Sequence, residues 1–290
     1  MTTSLGGAVR DHLAEATGRL AGAGVQSPAV DAEWLLAHVL GMRRSELWQA
    51  LDRRLSEPER AAYATAIGRR AGREPLQQIV GWEEFCGLRL RVSRDVLVPR
   101  PETEVLAEWA LELLAPAGPQ PLVIDIGTGS GCLACAIAAG HPEARVLALD
   151  ISLDAARVAH RNVRDLALGE RVQVIVADLL ATIASGVADL IVANPPYVPS
   201  GLMPRLPPEV RAHEPRLAVD GGPDGMAVIP LIVNAALDRL RPGGVLALET
   251  FGDAQVGQAT TWLRAAGFVD VAAREDLAGM VRMVAARRPR

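Results

Sequence analysis

From about residue 100 to its end, the chain alternates short apolar runs with longer runs of helical period. This alternation restricts the fold more than any other feature. "PLVIDIG", "RVLALDIS", "RVQVIVADL", "ADLIVANPPY" and "VLALET" read as strands, near-continuous in apolar residues as strands covered on both faces are. "CLACAIAAG", "LDAARVAHRNVRDLA", "MAVIPLIVNAALDRLRPGG" and "DAQVGQATTWLRAAG" read as helices between them, and "FVDVAAR" and "VRMVAARR" finish the chain. Strands joined by helices predict an α/β domain with a mostly parallel sheet and helices on both faces. Ligands in such sheets bind at the carboxyl ends of the strands.

The first 75 residues follow a different pattern. "VRDHLAEATGRLAGAG" places Val9, Leu13, Ala16 and Leu20 at spacings of three and four, a helical face. "SPAVDAEWLLAHVLG" opens on Ser27 as cap and Pro28 in the first turn, and stops near Gly41. "SEPERAAYATAIGRRAG" repeats the grammar with Ser56, Pro58, Glu59 and Gly72. Short connections between such helices predict a small bundle. In residues 76–99 the alternating "LRLRV" suits a strand or hairpin, read as a connector. The expected organisation is a helical domain over 1–75, a connector hairpin over 76–99 and an α/β domain over 100–290.

Half of the 290 residues are hydrophobic and 22% are charged, enough for a sizeable core and too apolar for disorder. The net charge of −4 argues against non-specific binding to nucleic acid, although every basic residue is Arg. Cys86, Cys132 and Cys135 are too few and too odd in number for a disulfide framework. The opening "MTTSLGGAVR" lacks a signal pattern, and no uncharged apolar run reaches the ~20 residues needed to span a bilayer. A soluble, cytoplasmic protein without membrane attachment is expected.

Two stretches carry chemistry. In "VIDIGTGSGCL", Gly127, Gly129 and Gly131 stand between a strand and a helix, where glycines let the backbone turn sharply and approach a ligand. The spacing is G-x-G-x-G, neither the dinucleotide G-x-G-x-x-G nor a loop ending in Gly-Lys-Ser/Thr. The next strand ends in Asp150, able to accept from a ribose diol, and the third in Asp178, placed for an exocyclic adenine amine. A lone strand-end aspartate is often only a helix cap; two on consecutive strands after one glycine loop point to an adenosyl site. Asp125 is costly to bury uncompensated, and so is read as orienting the loop or receiving a ligand ammonium. Cys132 and Cys135 share a helix face with Leu133 and Ile137 and read as small core residues; no metal site is expected.

The second stretch is "IVANPPYVPS". Pro195 and Pro196 lack the N–H a sheet needs, so the strand stops and presents Asn194, a stiff corner and Tyr197. An ordinary strand exit is the plain reading. Beside an adenosyl site, the group has a sharper use. A planar amide or aromatic amine is a poor nucleophile because its nitrogen lone pair is delocalised. The Asn194 side-chain oxygen and the Pro195 carbonyl can each accept one N–H and favour the tetrahedral nitrogen that develops on alkylation. Tyr197 can lie over the planar group.

Asn-Pro-Pro-Tyr together with "DIGTGSG" resembles class I S-adenosylmethionine-dependent methyltransferases that act on planar nitrogen. With "REPLQQIVGWEEFCGL", "VLVPRPETEVL" and "EPRLAVDGGPDGM", the resemblance narrows to the PrmC/HemK family of protein-(glutamine-N5) methyltransferases and covers nearly the whole chain. It implies a Rossmann-like domain with a mostly parallel seven-stranded sheet after a small helical bundle and hairpin. It implies methyl transfer from S-adenosylmethionine, leaving S-adenosylhomocysteine, to the Gly-Gly-Gln glutamine of class 1 peptide-chain release factors. Gly127, Thr128, Gly129 and Gly131 would line the methionine part of the cofactor, Asp150 the ribose and Asp178 the adenine, with Asp125 beside them. Thr103 and Glu104 of "PRPETE" would close over it. Asn194, Pro195, Pro196 and Tyr197 would hold the glutamine amide, and residues 1–75 would help dock the release factor. A monomer is the working expectation.

Three positions depart from the family pattern: Thr250 after Glu249, His213 before Glu214, and Gln78. They leave an alternative open, a family-derived enzyme recruited to a small molecule in specialised metabolism, which methylates it or uses the cofactor for another alkyl transfer.

Overall fold

The computed structural model describes residues 7–115 and 118–290. The reading of the opening residues as free of a signal pattern falls largely on residues 1–6, outside the described residues. Two compact units divide the chain. One holds the chain up to Gly81 together with Pro207–His213; the other holds Trp82–Leu206 and Glu214–Arg290.

The first unit is helical: α1 (Val9–Gly22), α2 (Pro28–Leu40), a 3₁₀ turn over Arg44–Gln49, α3 (Glu57–Ala71) and α4 (Leu76–Val80). Leu20, Leu35, Leu36 and Leu47 fill its core and are nearly or fully buried. Each such leucine contributes about 2 kcal/mol by leaving water. Ser56 caps α3 as expected, with Glu59 reaching back to the Ser56 N–H at 2.8 Å in a capping box. Ser27 sits at the start of α2 but its side chain makes no capping bond; Pro28 in the first turn sets the helix instead. Gly41 ends α2 at φ +65°.

The second unit begins with a hairpin, β1 (Trp82–Phe85) and β2 (Leu88–Arg91), turning through Cys86 and Gly87, both at positive φ. Next come α5 (Pro101–Leu114), β3 (Leu122–Ile126), α6 (Cys132–Gly140), β4 (Arg145–Asp150), α7 (Leu153–Asp165), β5 (Val172–Val176) and β6 (Ala188–Ala193). Helix α8 (Pro208–His213) is the segment that belongs to the first unit, where the Arg70 and Arg73 guanidiniums clasp Glu209 at 2.7–2.9 Å. Burial alone would raise the Glu209 carboxyl; Arg73 and Arg70 outweigh it and hold it down at about 2. The chain ends with α9 (Ile229–Arg239), β7 (Leu240–Glu249), α10 (Asp253–Ala265), β8 (Val269–Glu275) and β9 (Val281–Arg287).

The large sheet has seven strands in the order β5-β4-β3-β6-β7-β9-β8, parallel from β5 to β7 and antiparallel at β9 and β8. Its side chains alternate between two cores. Val123, Leu190 and Val192 face the layer with Leu106, Leu133 and Ile137, whereas Ile124, Ile191 and Ala193 face that with Ile229, Ile232 and Leu263. The chain winds from β3 out to β5, then restarts at β6 on the other side of β3. The carboxyl ends of β3 and β6 therefore form the crevice where such sheets take ligands. Both stretches singled out above end there. Among the described residues no helix is long and apolar enough to cross a membrane.

Candidate active site

The glycine loop leaves β3 with Gly127, Gly129 and Gly131 all in the left-handed region, at φ +68°, +55° and +82°. An L-residue would be strained at each. A Cβ on Gly127 would meet no atom within 4 Å, whereas one on Gly131 would press on Ala159 Cβ at 3.3 Å. Gly127 thus leaves open space and Gly131 allows close packing of loop on helix. Beneath the loop Asp125 is fully buried and accepts the Thr128 hydroxyl at 2.6 Å. Its other oxygen has no hydrogen-bond partner. Burial pushes this carboxyl up to about 7, with Asp150 adding repulsion; Thr128 holds it back, helped by the Ala134 N–H, which does not complete a full hydrogen bond. Asp150 at the end of β4 accepts the Gly129 N–H and the Ser152 N–H, both at 2.8 Å. Asn162 of α7 secures the loop from outside, donating to the Ser130 carbonyl and to the Arg91 carbonyl of β2.

At the end of β6 the Asn194 NH₂ donates to Thr103 Oγ1 at 2.9 Å. That bond fixes which way the amide is turned and keeps its oxygen end for something else. The Tyr197 hydroxyl donates to Glu249 Oε1 at 3.0 Å, at the end of neighbouring β7. Glu249 is fully buried and its other oxygen has no hydrogen-bond partner. Burial pushes Glu249 up to about 7, against the stabilising hydroxyls of Thr103 and Tyr197. Thr103 leans on this charge without the geometry of a full hydrogen bond. The corner is backed by main chain. Gln255 of α10 donates to the Tyr197 carbonyl at 2.9 Å, and the Gly221 N–H to the Val198 carbonyl at 2.9 Å. A Cβ on Gly225 would stand 2.2 Å from the Tyr197 carbonyl oxygen, and one on Gly221 2.7 Å from that of Pro196. The "DGGPDGM" stretch is glycine-rich because backbone packs on backbone.

Between the two corners lies a cavity of about 370 Å³. Gly127, Thr128, Gly129, Asp150, Asp178 and Thr103 line it, and so do Asn194, Pro195 and Pro196. Apolar Ile151, Leu179 and Leu231 complete its wall. Asp125 and Gly131 stay behind the loop. Tyr197 supports the corner from behind through Glu249, and does not line the cavity. Glu104 turns elsewhere: its carboxylate accepts the Cys86 N–H at 2.6 Å. Cys132 and Cys135 are free thiols raised by burial, the opposite of a reactive pair.

Several contributors are not singled out by the motifs. Arg100 donates to both oxygens of the buried Glu214 at 2.7 Å, joining "PRPETE" to "EPRL". Gln255 and Asn162 act through the backbone. Glu249 stands at the end of the apolar run "VLALE", where the sequence gives a buried acid but no partner for it. Thr250, one of the departures, is buried and spends its hydroxyl on the Arg282 carbonyl at 3.1 Å, so it does not reshape the cavity. Gln78, another, donates to the carbonyl of His213 within the first unit.

Residues 11–81 match the model of the PrmC N-terminal domain and residues 106–202 that of the methyltransferase small domain. Among solved structures, the hMettl16 catalytic domain, in complex with the MAT2A 3′UTR hairpin 6, shares the fold. Its TM-score is 0.56 at 19% identity, covering 80% of this chain and 82% of that one. A methyltransferase from Pyrococcus furiosus follows with a TM-score of 0.51 at 17% identity over 70% of this chain and 90% of that one. Full-length relatives are much closer in sequence. The release factor glutamine methyltransferase of Geobacter sulfurreducens is 42% identical across 96% of both chains. That of Mycolicibacterium smegmatis is 42% identical across 97% of this chain and 98% of its own. With both corners in place at the carboxyl ends of β3 and β6, and relatives 42% identical over 96% or more of this chain, the chain belongs to the release factor glutamine methyltransferase family.

Proposed function

We propose that the chain transfers a methyl group from S-adenosylmethionine to the side-chain amide nitrogen of the Gly-Gly-Gln glutamine of a class 1 peptide-chain release factor. The observation that carries this reading is the Asn194 amide. It lines the cavity beside the glycine loop with its NH₂ end already committed to Thr103. What remains is an acceptor, which an incoming amide N–H needs.

The cavity suits the cofactor by its own chemistry. Gly127 leaves space that any side chain would fill. Asp150 and Asp178 offer carboxylates to hydroxyl and amine groups, between the apolar surfaces of Ile151 and Leu179. Bound S-adenosylmethionine supplies a methyl on a sulfonium, a neutral thioether being the leaving group. Asn194 Oδ1 and the Pro195 carbonyl grip the two N–H bonds of the glutamine amide and aim its nitrogen, so that positioning supplies much of the acceleration. The same two acceptors draw on the positive charge that grows on nitrogen as the N–C bond forms and the S–C bond breaks. The surplus amide proton then leaves to solvent. The helical unit serves as the docking surface for the release factor. The recruited small-molecule enzyme is not favoured: Thr250 and Gln78 are absorbed by internal hydrogen bonds.

Mass spectrometry of the organism's release factor after incubation with this protein and S-adenosylmethionine tests the reading. One methyl gained on the Gly-Gly-Gln glutamine, and lost with Asn194→Ala, is the expected result. No gain from protein that binds the cofactor by calorimetry overturns it.

A further inference from the structure

Glu249 has no part in the chemistry above, yet it holds one acceptor-corner side chain and stands next to the other. Tyr197 reaches it directly at 3.0 Å. Asn194 itself is held by Thr103 at 2.9 Å. The geometry is dictated by the sheet. Ala193 of β6 pairs with Leu248 of β7, so Asn194 and Glu249 are the next residues outward on adjoining parallel strands. Glu249 is fully buried, and its second oxygen has no hydrogen-bond partner. An unpaired buried carboxylate oxygen costs stability, so its place beside the acceptor corner calls for an explanation.

We propose that Glu249 is the positioning residue of the acceptor corner: its buried carboxylate holds the Tyr197 hydroxyl, from the position next to Asn194 on the adjoining strand. A charged acceptor makes shorter, stronger hydrogen bonds than a neutral one, so the corner is held most firmly when Glu249 is ionised. The other charged groups bearing on it are Glu102 of α5, which opposes ionisation, and Arg282 of β9, which favours it. With its carboxyl raised to about 7, Glu249 switches within an accessible pH range. A glutamine amide does not titrate there, so an acid limb on turnover reports the enzyme.

This inference rests on the methyl-transfer reading, and two readouts keep them apart. The chain has two tyrosines, so the ¹³Cζ signal of Tyr197 is assigned by comparing labelled wild type with Tyr197→Phe. Tyr63, which donates to the Ala32 carbonyl, serves as the internal control. The Tyr197 signal should move between about pH 5.5 and 8.5 in wild type and stay still in Glu249→Gln. That measurement needs no turnover, and once the signal is assigned the titration is read in wild type alone. On the release factor, kcat should fall by roughly tenfold or more in Glu249→Gln, its acid limb should vanish, and the KM for S-adenosylmethionine should hold. The Glu249→Gln, Tyr197→Phe double variant should be little worse than the poorer single. A motionless Tyr197 signal in wild type, an unchanged kcat in Glu249→Gln, or effects that multiply in the double variant each overturn the proposal. A titrating Tyr197 with no methyl gained by the release factor instead overturns the substrate reading and leaves the positioning role standing.

Discussion

The glycine loop after β3 and the proline corner after β6 sit side by side and rest on similar foundations. Under each is a fully buried carboxylate, Asp125 or Glu249, with one oxygen held by a hydroxyl and the other without a hydrogen-bond partner. They differ in where their support comes from. The loop is shaped by glycines within it, by Thr128 three residues after Asp125, and by Asp150, 21 residues after Gly129. The corner is stiff but cannot aim itself. Asn194 is set by Thr103, 91 residues away; Tyr197 by Glu249 and Gln255, at 52 and 58 residues. A loop that wraps a diffusing cofactor is made by conformational freedom. A corner that grips an acceptor is made rigid by distant parts of the chain.

The largest effect should come from the corner's own chemistry. Asn194→Ala should lower kcat/KM by about 10²–10³, with cofactor affinity on the order of the wild-type value by calorimetry. Equal losses of both would mean that the corner also shapes the cofactor site. Next, alanine at two glycines separates the kinds of support. Gly225→Ala drives a Cβ to 2.2 Å from the Tyr197 carbonyl oxygen at a backbone φ of +78°. It should cost roughly 3 kcal/mol of unfolding free energy, measured in urea. Gly127→Ala has φ +68° but no atom within 4 Å. It should cost only about 1 kcal/mol of stability, yet weaken S-adenosylmethionine at least about tenfold, since the methyl enters the cavity.

The smallest effect compares the foundations. Folding raises the Asp125 carboxyl from an ordinary 3.8 to about 7, so the folded state holds its proton longer than the unfolded chain. Its contribution therefore falls as pH rises from about 4 to 7 and is constant above that window. Asp125→Asn should remove this decline, so that its Tm gains on wild type as pH rises across the window. Glu249→Gln should gain in the same direction, because its carboxyl is also raised to about 7. A Tm difference that does not change with pH would show that the carboxylate is relieved by a partner when ionised.

The same contrast explains what was legible in the sequence. The sheet was legible from short, near-continuous apolar runs set between helical periods, because both of its faces are covered by apolar layers. The glycine loop was readable because its causes are local: three glycines and an acid within a few residues. The proline corner was recognisable as a motif, but not its support. Glu104 and Thr103 are neighbours in "PRPETE", yet on a helix adjacent residues point apart. Thr103 meets Asn194, and Glu104 the Cys86 amide. The bond from the Tyr197 hydroxyl to Glu249 was not foreseen. Ser27 has the sequence grammar of a cap without making the bond, because its backbone, at φ −120° and ψ 61°, lies outside the extended region that aims a cap side chain at the first turn. Pairings at such separations depend on tertiary packing, which no short window of sequence encodes.

The seven residues Pro207–His213 bear on how this molecule can be cut or inherited. The chain passes between the two units three times, after Gly81, after Leu206 and after His213, instead of once as between beads on a string. A truncation at Gly81 would not release an independent catalytic fragment. It would strand α8 with Glu209 stripped of Arg70 and Arg73. By the same logic the helical unit is not an exchangeable module. A recombination event that swapped the first 81 residues would have to carry a matching α8, inserted ten residues beyond Tyr197, and so would alter the stretch that follows the acceptor corner.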